Sequence, residues 1–204
     1  MRSARKSSWA ASEKSSDLVL GMARRKEEWV DVVDGRDRVI GRDSHARVHD
    51  WNVGLLHRSV HAFLLDDQGK LFIQQRARNR RLAPGQWDCS IGEHVKSGES
   101  YGQGVRRGLR EELGVTKKIK LRKANKEIIE DIRKKKYDNK EWSTLYAGTW
   151  NGKIVLSDET QQAKWATVQE LKKMVREHPK QFTVFFRTHF RKWVKLHGSG
   201  KKAA

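Results

Sequence analysis

The residues best suited to chemistry lie between Glu93 and Val115. Glu99, Arg107, Glu111 and Glu112 set three carboxylates around one guanidinium in this stretch. Positions 108, 111 and 112 are spaced i, i+3 and i+4, so on a helix they share one face. Carboxylates grouped that way make a hard-oxygen site for Mg2+ or Mn2+. Such a site holds a diphosphate and activates a water. Glu111 and Glu112 are the metal-ligand candidates, and Glu99 is placed to pair with Arg107 or to assist the metal. Position 108 is a glycine, so its share of that face is missing. Taken alone, an acidic pair on a helix is more often a solvated face than a site.

The elements that position these residues read as loop, helix, loop. Gly92 and Gly98 punctuate the first loop, Ser100 is an N-cap, and Gly114 is a C-terminal stop. Leu109 and Leu113 lie one turn apart and should face a core. Gly102, Gly104 and Gly108 weaken the helix by about 1 kcal/mol each relative to Ala. Upstream, Trp29–Asp34 and Val39–Gly41 alternate as an N-terminal hairpin, and His57–Leu65 reads as a core strand. Asp66–Gly69 turns the chain and Lys70–Arg76 returns. Downstream, Ile128–Ile132 reads as a strand, Lys134–Lys140 as a hairpin tip, and Glu141–Trp150 as a strand. Thr167 caps a short helix to Val175, with Glu170 completing a capping box, and Pro179 ends it. A last helix, Phe182–Leu196, carries an aromatic stripe at helical spacing and should dock on the domain.

The central stretch resembles the Nudix box, the signature of hydrolases that cleave nucleoside diphosphates linked to another group. Glu99, Arg107, Leu109, Glu111, Glu112, Gly114 and Val115 match that pattern. Two positions depart from it: Glu93 stands where the pattern opens with Gly, and Gly108 where a catalytic Glu usually follows the Arg. The resemblance widens to Nudix proteins related to isopentenyl-diphosphate isomerase, through Gln75-Arg76, Pro84-Gly85-Gln86-Trp87-Asp88 and Gly92-Glu93-His94-Val95. It implies a Nudix fold of the α/β class, an α+β sandwich whose mixed central sheet is flanked by helices. It also implies that the box loop folds back over the box helix. Glu93 would then enter the space over Gly108 and act as a third metal ligand beside Glu111 and Glu112, or it is a solvated loop glutamate without a role. Isomerase chemistry needs a Cys where this chain has Gly92, so isomerase activity is not expected, and Cys89 reads as a small core residue.

Bulk composition bounds the partners. The chain has 204 residues, with 44 Lys and Arg against 25 Asp and Glu, a net charge of +19. That excess suggests a polyanionic partner, RNA first or an anionic membrane surface second, with a highly charged phosphate substrate as the alternative. Lys117, Lys118, Lys120, Arg122 and Lys123 form one basic run, and Arg133, Lys134, Lys135 and Lys136 form another. Residues 1–26 and 197–204 read as basic tails around one domain at 27–196. The single Cys rules out an internal disulfide and points to a reducing compartment, the cytoplasm first and an organelle second. No apolar run reaches the ~20 residues a membrane-spanning helix requires. The His-rich stretch with His45, His49, His57 and His61 lacks ligand spacing and is read as ordinary histidines.

Two functions remain open. One is a Mg2+- or Mn2+-dependent hydrolase of a diphosphate-containing, nucleotide-type substrate, with activity impaired or altered by Gly108. The other is a catalytically inactive Nudix-fold protein that binds RNA or a ribonucleoprotein particle.

Overall fold

The computed structural model describes residues 27–197. The basic tails at 1–26 and 198–204 lie outside these residues. A long central strand, β3 (Leu56–Leu65), organises the rest. Its apolar run is buried on both faces because neighbours cover each of them. Strand β8 (Tyr137–Thr149) lies parallel to it along its whole length, from Leu56 opposite Lys140 to Leu65 opposite Thr149. The N-terminal hairpin, β1 (Trp29–Val33) and β2 (Val39–Ser44), joins β3 through Val32 and His57. Strand β4 (Leu71–Arg76) pairs antiparallel with β9 (Thr160–Ala166) and with the short β5 (Trp87–Asp88). Strand β7 (Arg122–Arg133) forms a hairpin with β8. This is the mixed sheet expected from the sequence.

Two apolar layers sandwich the sheet. Side chains alternate along a strand, so Val60, Ala62 and Leu64 point one way, toward Val105, Leu109 and Leu113 of helix α2 (Tyr101–Leu113). Phe63 points the other way, toward Phe186, Phe190 and Trp193 of the last helix. That helix, α4 (Val184–His197), buries the aromatic stripe read from the sequence. Helix α3 (Val168–Glu177) carries the expected Thr167–Glu170 capping box. Helix α2 is capped as expected: Ser100 and Gln103 form a capping box, and Gly114 closes the helix at φ 64°.

Three expectations need correction. The loop opening the box is a strand, β6 (Ile91–His94), paired antiparallel with Ser59–Ala62 of β3. Its glycine and polar residues hid it, because strand propensity is overridden where a partner strand is available. The segment Tyr137–Lys140 belongs to β8 rather than to the hairpin tip, since Tyr137 and Asn139 turn inward and are buried. The turn is confined to residues 134–136, with Lys135 in the left-handed region at φ 62°. A one-turn helix, α1 (His45–Val48), capped by Ser44, also lies in the stretch read only as His-rich.

Candidate active site

The box residues converge on Arg107. Its guanidinium donates to Glu99 Oε1 at 3.0 Å, Glu93 Oε2 at 2.7 Å, Glu111 Oε2 at 3.2 Å and the His94 carbonyl at 2.6 Å. Glu93 and Glu111 therefore share one nitrogen, Nη1, as partner. Glu93 sits over the gap at position 108: a Cβ added to Gly108 would lie 2.6 Å from Glu93 Cγ. The register explains this. Glu93 is opposite Val60, a residue of the face that packs on α2, so its side chain is delivered to that helix. Burial pushes the Glu93 carboxyl up from its ordinary pKa and Arg107 opposes the shift.

Glu111 and Glu112 do not point together into an open cleft, as the sequence suggested. Adjacent helical residues diverge by about 100°. Glu112 is buried, accepting from Gln74 Nε2 at 2.6 Å and from the Gly92 amide at 3.1 Å. Burial, then the charge of Glu93, raises its pKa well above the usual carboxylate range. Glu111 is half exposed between Arg107 and Arg110.

On the far side of β6 lies a cleft of about 400 Å³. Glu93 and Gly92 reach it from β6, Arg76 from β4, and Arg80 and Arg81 from the loop that follows β4. Arg80 is held by Glu159 at 2.7 Å and Arg76 by Asp88 at 3.6 Å. Glu159 thus lines the site.

The same cleft holds a group that the sequence reading dismissed. Ligand atoms of His49, His57, His94 and Glu141 all lie within 4.8 Å of one another. His57 and Glu141 face each other across the parallel β3–β8 pair, and His94 comes from β6. His49 follows α1. The Nδ1 atoms of His49 and His57 donate to the carbonyls of His45, at 2.7 Å, and Leu55, at 2.8 Å. Each ring therefore turns a bare Nε2 inward, the usual way a protein fixes a metal-binding tautomer. Nε2 of His49, His57 and His94 and Oε2 of Glu141 are buried without a hydrogen-bond partner. His94 Nε2 stands 3.4 Å from Glu141 Oε1, too loose for a full hydrogen bond. Burial holds His94 well below its ordinary pKa. Burial works to raise the Glu141 carboxyl, but its interactions with His94, then His57 and His61, outweigh that and leave it well below the carboxylate range.

Converging orphaned donor atoms are what a cation would satisfy. Three imidazoles and a carboxylate suit Mn2+ or Zn2+ better than Mg2+, which prefers oxygen. No short spacing could have revealed this set, because its members come from the end of α1, from β3, from β6 and from β8.

The basic runs are exposed but do not meet. Lys117–Lys123 leads into β7, and Arg133–Lys136 sits at the far end of the same strand. Lys117 and Lys118 instead join Arg106 and Arg110 around a separate hollow of about 460 Å³ on the outer side of α2.

A NUDIX domain model matches residues 55–185, and the chain belongs to the Nudix family. Within it, the chain falls in the branch that includes isopentenyl-diphosphate isomerases and Nudix hydrolases. It is 31% identical to an isopentenyl-diphosphate Delta-isomerase of Serratia proteamaculans over 79% of this chain and 89% of that one. It is 40% identical to an uncharacterized Nudix hydrolase of Clostridium acetobutylicum over 46% of this chain and 45% of that one. A solved protein of Deinococcus radiodurans shares the fold, with a TM-score of 0.66 at 24% identity over 81% of this chain and 99% of that one.

Proposed function

We propose that this protein is a divalent-metal-dependent hydrolase of a diphosphate bond in a nucleotide-type substrate. The observation that carries the reading is the composition of one cleft: unpartnered His and Glu ligand atoms on one side, Arg76, Arg80 and Arg81 on another. His49, His57, His94 and Glu141 would hold the metal, with Glu93 bordering the same cleft. When bound, the ion supplies charge neutralisation at the phosphoryl oxygens and a more acidic water. The chain's own arginines bind and orient the diphosphate, since guanidinium forks match phosphate oxygens. Glu93 fills the space over Gly108 and keeps a carboxylate on Arg107 there, so activity is altered rather than abolished. Isomerase chemistry is disfavoured, because Gly92 occupies the required Cys position and Cys89 is fully buried with its thiol pushed up. Mn2+-dependent release of phosphate or nucleoside monophosphate from ADP-ribose, UDP-glucose and dinucleoside polyphosphates tests the proposal. No turnover of any of them, with the chain folded and Mn2+-bound, would refute it.

A second reading rests on the hollow bounded by Arg106, Arg110, Lys117 and Lys118. Its cationic rim and the net charge of +19 support RNA or ribonucleoprotein binding apart from the catalytic cleft.

A further inference from the structure

Below the cleft, a buried chain of polar side chains runs from β3 to α4. His61 Nδ1 lies 3.0 Å from Ser143 Oγ, Ser143 Oγ lies 2.8 Å from His189 Nε2, and His189 Nδ1 lies 2.9 Å from Asn125 Oδ1. His61, Ser143 and His189 are all buried. The direction of each bond follows from its acceptor. The Asn125 carbonyl oxygen only accepts, so His189 Nδ1 carries a proton. Neutral His189 then accepts at Nε2, and the Ser143 hydroxyl proton points to it. Ser143 Oγ is left as acceptor for His61 Nδ1–H. His61 is thereby fixed in the tautomer whose Nε2 is a bare lone pair.

His61 lines the cleft together with Phe185, whose ring stacks on it at 5.0 Å with planes 12° apart. Gly92 covers the other edge without a side chain: a Cβ there would stand 3.2 Å from His61 Nε2. The amide of the same glycine donates to Glu112, so the imidazole edge and the box carboxylate meet at one residue. Gly108 has meanwhile removed the usual box base, and Glu93 is engaged by Arg107. We infer that His61 is the general base of the hydrolysis, oriented by the Ser143–His189–Asn125 chain. This rests on the hydrolase reading above. In the step, a water oxygen bonds to phosphorus while the bond from phosphorus to the bridging oxygen breaks. The water's proton passes to His61 Nε2, and the bridging oxygen leaves with the other phosphate. The resulting imidazolium keeps its Nδ1–H on Ser143; burial disfavours its charge, and the charges of Asp88 and Glu141 oppose that shift. Ser143 and His189 act through His61 and are positioning residues.

Two measurements on the full chain test the assignment. Long-range 1H–15N correlation with 15N-histidine, assigned by the loss of signals in His61→Asn, should show His61 protonated at Nδ1 and bare at Nε2. The opposite tautomer overturns the assignment whatever the kinetics. Mn2+-dependent hydrolysis of the best substrate among ADP-ribose, UDP-glucose and diadenosine tetraphosphate should lose about 100-fold or more in kcat in His61→Asn, with KM little changed. If that variant does not fold, Ser143→Ala serves instead. It should lower kcat rather than raise KM and mix the His61 tautomers, and unchanged kcat with an unchanged tautomer would refute the relay. Native-level kcat in folded His61→Asn refutes the base role alone. No hydrolysis by the native chain refutes the hydrolase reading and this role together.

Discussion

Glu93 and Gly108 form a packing pair, and that pair makes a quantitative prediction. Replacing Gly108 by Ala removes a glycine from a helix interior, which alone should stabilise by about 1 kcal/mol. The new methyl, however, would lie 2.6 Å from Glu93 Cγ and 3.1 Å from Ile91 Cδ1. Glu93 cannot swing aside freely, because Arg107 holds its carboxylate at 2.7 Å. Overpacking of this kind costs about 1–3 kcal/mol, so Gly108→Ala should be neutral to destabilising, by about 0–2 kcal/mol in sum. In a Glu93→Ala background the closest obstacle is gone, and the end of the Ile91 side chain, which can give by a few tenths of an ångström, stays near the methyl. Arg107 keeps Glu99, Glu111 and the His94 carbonyl, and the same Gly108→Ala change should recover its propensity gain. The cycle therefore predicts a coupling of about 1–3 kcal/mol, well beyond the ~0.5 kcal/mol seen for independent sites. Urea denaturation of the four full-length proteins, without metal and at one pH, measures it. Additive effects, with Gly108→Ala stabilising in both backgrounds, would show that Glu93 does not occupy the space over Gly108.

The remaining predictions concern the cleft and the basic surface. Glu93→Ala should remove most hydrolysis, and adding Gly108→Glu should restore it, since removal of Glu93 Cγ frees the space over position 108. Mn2+ should raise the thermal midpoint of the native chain and fail to do so in Glu141→Gln, which keeps the shape of the site but loses its only carboxylate ligand. Acid should destabilise the metal-free protein. His49 is held down to about 4 by burial and then by His57, against 6.5 for the free side chain. Its neutral form is favoured by folding, so that stability is present above about pH 6.5 and lost as pH falls toward 4. The loss is on the order of 3 kcal/mol, measured by denaturation at stepped pH; a flat profile across that window would count against the buried cluster. Finally, RNA binding, assayed by filter retention, should weaken steeply between low and moderate salt and be reduced by Lys117→Ala with Lys118→Ala; salt-independent retention would refute an electrostatic footprint.

Much of this protein was legible from local pattern. The box helix, its Ser100 and Gly114 ends, the buried Leu109 and Leu113, and the aromatic face of α4 follow from propensity, capping and period, which act within a few residues. The sequence alone also located Glu93 as the carboxylate to watch and set Cys89 in the core. What it did not reveal is decided by register. His57 meets Glu141 because β3 and β8 run parallel in one alignment, and His94 joins them because β6 pairs with β3 rather than looping free. A shift of one residue in either pairing would turn these side chains to the opposite face. The same alternation separates the two faces of β3: Val60 packs on α2, while Ser59 and His61 turn toward the cleft that His94 and Glu141 also line. Residues 49 and 141 carry no shared local signal. Only the tertiary sheet brings their orphaned atoms within one ion's reach, because burying them apart would leave each imidazole and carboxylate to bear its desolvation unpaired.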